Sequence, residues 1–409
     1  MKYLFLLEYA IYIFINVDAR IQPNFINFSH SYLFIIFTGL IIFEYLLIKA
    51  CKLKTKINIP SKICFAYLSI IAIYTGTIFS IHSSNIEIQL SIMLIITVIF
   101  IGKMINELNC MKEFLLISFW VPTATLMLIC LQNNINILEL LNKLNIRYLF
   151  STNYSMRLRA DFNFYNVNAA GNLSACLLCI VSIIKYIKVH NNTFYRIAFF
   201  IAVLFDGVIL LLTGSRTAIL SVIICYGIIL LNIILAMNFI RKYQRIILKV
   251  FSILSALVCL CILNVKDFFV VYFISRNFAF ENLVFMKSLR QKLFGLGLIP
   301  PGNFLNLRID HQKGNFLDNY YLYVYLTMGL IGLIVICITL IYIGIGLLKK
   351  SKIRKMYFSV FACFAACIIG GFAETSVLYH LFPSCAIYFS IFFAILDKKE
   401  RYQEVYRII

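Results

Sequence analysis

The chain has 409 residues, 62% of them hydrophobic and only 13% charged, with a formal charge of +20 and a mean hydropathy of +0.92. That composition excludes an ordinary water-soluble domain and predicts an all-α, polytopic integral membrane protein whose partner is the lipid bilayer. The positive charge lies mostly in short segments beside apolar runs, so it speaks of topology, and no nucleic-acid partner is expected.

Crossing about 30 Å of hydrocarbon takes roughly 20 apolar residues. By that measure the sequence predicts about twelve transmembrane helices, near 2–17, 31–49, 62–81, 86–102, 112–131, 166–187, 195–213, 216–237, 246–264, 319–348, 356–373 and 377–396, in a single membrane domain over 1–409. The first run is short and carries Glu8, but Val17-Asp18-Ala19-Arg20 is a poor cleavage site, so it is read as a span rather than a signal peptide. Every second connection is basic: Lys49 to Lys62, Arg241 to Lys249 and Lys349 to Lys355, with weaker sets at Lys103, Lys112 and at Lys185, Lys188, Arg196 in the same register. Short basic loops stay in the cytoplasm. Both termini are therefore expected on the cytoplasmic side of a bacterial inner membrane. Two larger loops, about 132–165 and 265–318, are expected on the periplasmic side, carrying short amphipathic helices over 134–150 and 282–294.

Against that rule, the outer face gathers Arg157, Arg159, Arg216, Arg276 and Arg290. An anionic ligand handled there accounts for them. The sharpest of the local signals is Leu212-Thr213-Gly214-Ser215-Arg216-Thr217-Ala218, which joins two apolar runs with almost no loop. Thr213 or Ser215 is placed to cap the next helix, and free N–H groups and the positive helix end point the same way as the guanidinium, an arrangement that suits phosphate. A snorkelling arginine at a span end is the plainer explanation.

The segment from Tyr154 to Gly171 sets Arg157 and Arg159 among amides and aromatic rings, which suit sugar hydroxyls and bidentate phosphate binding. Asp161 pairing with one arginine is the structural alternative. A third stretch runs from Phe285 to Gly297, with Arg290, and on through His311 to Asp318-Asn319-Tyr320-Tyr321 at the head of a long span. His311 and Asp318 are both candidate general bases, although Asp318 is also placed to cap that span. Glu44, Asp206 and Glu374 lie in apolar runs, where charge is costly and faces the bundle interior. Glu374 is placed to join the arginine site, and Asp206 reads as a structural partner. The thirteen cysteines sit almost wholly inside apolar runs and read as small hydrophobes; Cys176 and Cys179 lack the second pair a metal site needs. No nucleotide or metalloprotease motif occurs, so no metal and no cofactor are expected.

Arg159 to Gly171, Leu212 to Ala218, and Leu293 to Gly297 followed by Asp318 to Gly332 come in the order and spacing of the O-antigen polymerase family, which the second half of the chain resembles. The related O-antigen ligases carry a histidine where Asp318 stands here, so the resemblance favours the polymerase. It implies a metal-independent, inverting glycosyltransferase on the periplasmic face. The donor is a glycan on undecaprenyl pyrophosphate, and the acceptor is a lipid-linked repeat unit. Arg157 or Arg159, Arg216 and Arg290 would meet the pyrophosphate, with Ser215, Asn319, Tyr320 and Glu374 beside them and Asp318 or His311 as base. A protein that regulates chain length is an expected partner. The competing expectations are a ligase, differing in its acceptor, and a flippase of lipid-linked sugars, which would place its charges near the bilayer midplane.

Overall fold

The computed structural model describes residues 1–21, 25, 30–51, 85–144, 159–160, 162–164, 167–187, 193–236, 288–295, 319–372, 374, 378 and 382–398. The expected spans near 62–81 and 246–264, together with Arg157, Asp161, Arg276, His311 and Asp318, lie outside the described residues.

The described residues form helices and no strand; one isolated antiparallel bridge joins Ile21 to Phe164. In chain order the helices are α1 (Lys2–Asp18), α2 (His30–Cys51), α3 (Asn85–Glu107), α4 (Met111–Gln132), α5 (Ile137–Lys143), α6 (Val167–Ile184), α7 (Thr193–Thr213), α8 (Arg216–Ala236), α9 (Leu289–Phe294), α10 (Tyr320–Ser351), α11 (Lys355–Gly371) and α12 (Pro383–Asp397). Ten of them follow the apolar runs. Five are long and apolar enough to cross a membrane: α2, α4, α7, α8 and α10. Their outer faces carry Phe43, Phe200, Ile223 and Ile338, each more than half exposed. Apolar surface on that scale is stable against lipid and not against water. The amphipathic segments expected over 134–150 and 282–294 contain helices as well, but short ones, α5 and α9.

Packing inside the bundle is close. α3 lies on α12, α8 on α11, α6 on α7 and α8, α10 on α11, and α1 on α4. Several polar groups that the apolar runs carry are buried in pairs. Tyr9 Oη meets Ser118 Oγ at 2.8 Å, Thr38 meets Thr97 at 2.6 Å, and Thr123 donates to Asp206 Oδ2 at 2.8 Å. Asp206 is thus held between α7 and α4, as a structural partner.

The helix ends sort into two sets. At one end Lys2 pairs with Glu113 (2.7 Å), Lys49 with Glu107, and Lys103 with Asp397 (3.5 Å), while Lys350 donates to the carbonyls of Ile395 and Lys398. These contacts collect the starts of α1 and α4 and the ends of α2, α3, α10 and α12, the alternation that a serpentine membrane chain requires. The opposite end gathers the end of α1 and the starts of α2, α6, α8 and α10, with the ends of α7 and α11. Arg159, Ser215, Arg216, Asn319, Tyr320 and Glu374 lie there.

Candidate functional site

Most of the polar cluster comes from segments that the sequence already singled out, but the structure pairs them in a way that spacing does not show. The backbone N–H of Ala160 donates to the carbonyl of Leu212 at 3.0 Å, so the segment bearing Arg159 lies against the Thr213–Arg216 turn. Gly171, in the first turns of α6, faces the same turn. A Cβ there would stand 2.7 Å from Thr213 Oγ1 and 2.8 Å from Ser215 Cβ, so only glycine allows α6 and the turn to meet this closely. The turn itself needs Gly214, whose φ of +57° lies in the left-handed region.

Arg159 Nη2 donates to Asn168 Oδ1 at 2.9 Å, and Asn168 Nδ2 donates to Glu374 Oε2 at 2.7 Å. One amide thus reads a guanidinium on one side and a carboxylate on the other. Glu374 is fully buried and continues the last turn of α11, its N–H donating to Gly370 O at 2.9 Å. Glu374 therefore lies one amide away from Arg159, through Asn168, a residue that the sequence marked only as one of several amides. Between Arg159 and Asn168 the chain turns sharply, with φ of +50° at Phe162 and +61° at Asn163. Asparagine tolerates that region. Phenylalanine does so at a cost of about 1–2 kcal/mol, offset here by complete burial of its ring.

Ser215 is 3% exposed and its Oγ has no hydrogen-bond partner among the described residues. Thr213 Oγ1 donates back to Leu210 O and accepts from the Ser215 N–H at 3.5 Å ahead of α8, and among the described residues the Ser215 hydroxyl has no partner. Arg216 opens α8 and is half-buried.

The head of α10 forms the neighbouring wall. Its cap is Asn319, whose side chain accepts from Leu322 N at 3.0 Å, and not Asp318, the residue that spacing suggested. An asparagine acceptor serves the free N–H groups of the first turn as well as a carboxylate does. Tyr321 Oη donates to Ile368 O at 3.0 Å and its ring lies 4.4 Å from that of Phe372, which joins the head of α10 to the end of α11 beside Glu374. Tyr320 is buried and lines an apolar groove between α3, α10 and α12, with Val98, Ile99, Ile336, Leu340 and Phe389 among the other walls.

Arg290 is exposed on α9. α9 is nonetheless anchored firmly. A Cβ at Gly295 would lie 2.3 Å from Thr327 O, and one at Gly329 would lie 2.3 Å from Leu293 backbone; both glycines have positive φ, and Gly329 breaks α10 with a kink.

One pair of groups at this end escaped the sequence reading. Asp18, fully buried at the end of α1, accepts from Phe25 N at 2.7 Å and lies 3.0 Å from His30 Nε2 at the start of α2. Twelve residues separate them, and no spacing rule signals such a contact.

Among the described residues the fold is helical throughout, with five helices long and apolar enough to cross a membrane and a polar cluster at one end of the bundle. The chain matches no family model and no curated protein.

Proposed function

We propose that this protein is an oligosaccharide repeat-unit polymerase of the bacterial inner membrane, acting on the periplasmic face on glycans linked to undecaprenyl pyrophosphate, with both chain termini in the cytoplasm. The observation that carries the reading is the Arg159–Asn168–Glu374 relay beside the Ser215–Arg216 turn, at one end of an apolar bundle. Membrane proteins do not gather such groups in a lipid-facing fold without use for them.

In the proposed reaction an acceptor sugar hydroxyl attacks the anomeric carbon of the donor, the bond to the pyrophosphate oxygen breaks, and configuration inverts. Charge builds on the departing diphosphate. Arg159 and Arg216 meet it, and Ser215 Oγ adds a donor; fixed donors of this kind lower the barrier most where water is scarce. Glu374 holds Arg159 through Asn168, and Asn319 and Tyr320 border the acceptor side. The attacking hydroxyl's proton goes to a base, for which the sequence offers Asp318 and His311. The groove beside Tyr320 suits an isoprenoid tail, whose burial yields roughly 0.8 kcal/mol per methylene.

Deleting the gene and complementing it with Arg216→Ala tests the reading, with surface polysaccharide resolved on a gel. Loss of the ladder with one repeat unit still attached, at normal protein level, is the expected result. Loss of every repeat would turn the reading toward a ligase or a flippase, and a full ladder would remove Arg216 from the chemistry.

A further inference from the structure

We propose that His30, held in place by Asp18, is the proton acceptor for the attacking hydroxyl; this rests on the reading above and names its base. The Asp18 side chain is 0% exposed and His30 keeps 16% of its side chain accessible. The carboxylate accepts a backbone N–H through Oδ1 and faces His30 Nε2 through Oδ2. A carboxylate facing Nε2 places the hydrogen there, and in the neutral ring Nδ1 then carries a lone pair. Nδ1 makes no hydrogen bond among the described residues. A buried carboxylate that orients one nitrogen while the other stays open to a substrate hydroxyl is the general-base arrangement of hydrolases and transferases.

Two contacts tie this pair to the polar cluster. Ile21, three residues after Asp18, bridges to Phe164 in the turn between Arg159 and Asn168. The Arg20 guanidinium lies 4.9 Å from the ring of Phe382, which begins α12 just beyond Glu374. α1 ends in Asp18, with Arg20 two residues on, α2 has no charged residue before Glu44, and α3, which packs on α2, has Glu87 in its first turn. With Asp18 at its back, the ring gains its proton next to a negative charge. The C–O bond then forms as the bond to the pyrophosphate breaks, and the proton stays on His30 until solvent removes it.

The test uses the complemented deletion strain, with ladder length read on a gel and membrane protein level read by immunoblot. His30→Ala is expected to cut polymerisation roughly hundredfold or more, the usual weight of a general base, and imidazole in the medium is expected to restore part of the ladder. Where His30→Ala fails to reach the membrane, His30→Ser takes its place. A full ladder without His30, or a loss that imidazole does not relieve, overturns the assignment. Arg159→Ala run alongside keeps the two readings apart. If it leaves the ladder intact, the polymerase reading itself fails, whatever His30 does.

Discussion

The two ends of the bundle use charge differently. At one, lysines meet carboxylates or carbonyls directly: Lys2 with Glu113, Lys49 with Glu107, Lys103 with Asp397, and Lys350 with the end of α12. Each such contact clamps two helix ends together. At the other end Arg159 reaches Glu374 through an intervening amide and Phe162 holds a left-handed turn, while among the described residues a buried serine hydroxyl and one histidine nitrogen make no hydrogen bond. Groups that only fasten a fold are satisfied by each other; groups left oriented and available mark a place where something else is bound. Strain and unspent polar atoms cluster at functional sites for that reason.

The comparison can be broken first at the glycines. Gly329→Ala places a side chain on a positive φ and into the backbone of Leu293, so we expect a loss of about 3 kcal/mol or more and little protein in the membrane, read as thermal stability in detergent. Arg159→Ala and Glu374→Gln should leave the fold and remove the product ladder, a fall of about a hundredfold as for a lost charge-stabilising donor. Arg159→Lys should restore little, since a lysine lacks the planar fork that meets Asn168 and a phosphate together. Unchanged polymer from either variant would erase the distinction between the two ends.

Asp206→Ala probes the bundle interior. It leaves the Thr123 hydroxyl buried without its acceptor, with an expected loss of about 1–3 kcal/mol and a full ladder. At the clamped end the expected effects are smaller. Lys49→Glu or Glu107→Lys alone should cost about 1 kcal/mol, and the double exchange should recover most of it, with polymer length unaffected in all three. The smallest effect is expected on α5. A hydrogen bond from Lys143 holds the Glu139 carboxyl below its ordinary range, so whatever the pair adds is present above ordinary carboxylate titration and is lost as pH falls through the lowered value. Both side chains are more than half exposed, and Glu139→Ala should leave the melting temperature unchanged.

Much of the fold was legible. Long apolar runs near 31–49, 112–131, 195–213, 216–237 and 319–348 became α2, α4, α7, α8 and α10, because a segment in lipid must satisfy its own backbone and a helix does so locally. The Thr213–Arg216 turn, the Arg159 segment and Glu374 were legible as oddities of charge and glycine in apolar surroundings. The cap of α10 was misplaced by one residue, Asn319 rather than Asp318, since adjacent residues compete for a cap on geometry alone. The unspent Ser215 hydroxyl was read as a cap for the same reason.

Local patterns, then, determined that this is a bundle of apolar helices, where most of them begin and end, and which polar residues are too costly to be there by accident. They act between neighbours in the chain, and hydropathy and glycine report them faithfully. Which residues meet was decided by the tertiary structure alone: Asn168 between Arg159 and Glu374, Gly171 against Ser215, Leu293 against Gly329, and Asp18 on His30. Such contacts depend on how whole helices pack side by side, and an apolar helix can present any of its faces to a neighbour with nearly equal gain until close fits at small residues and a few buried hydrogen bonds select one.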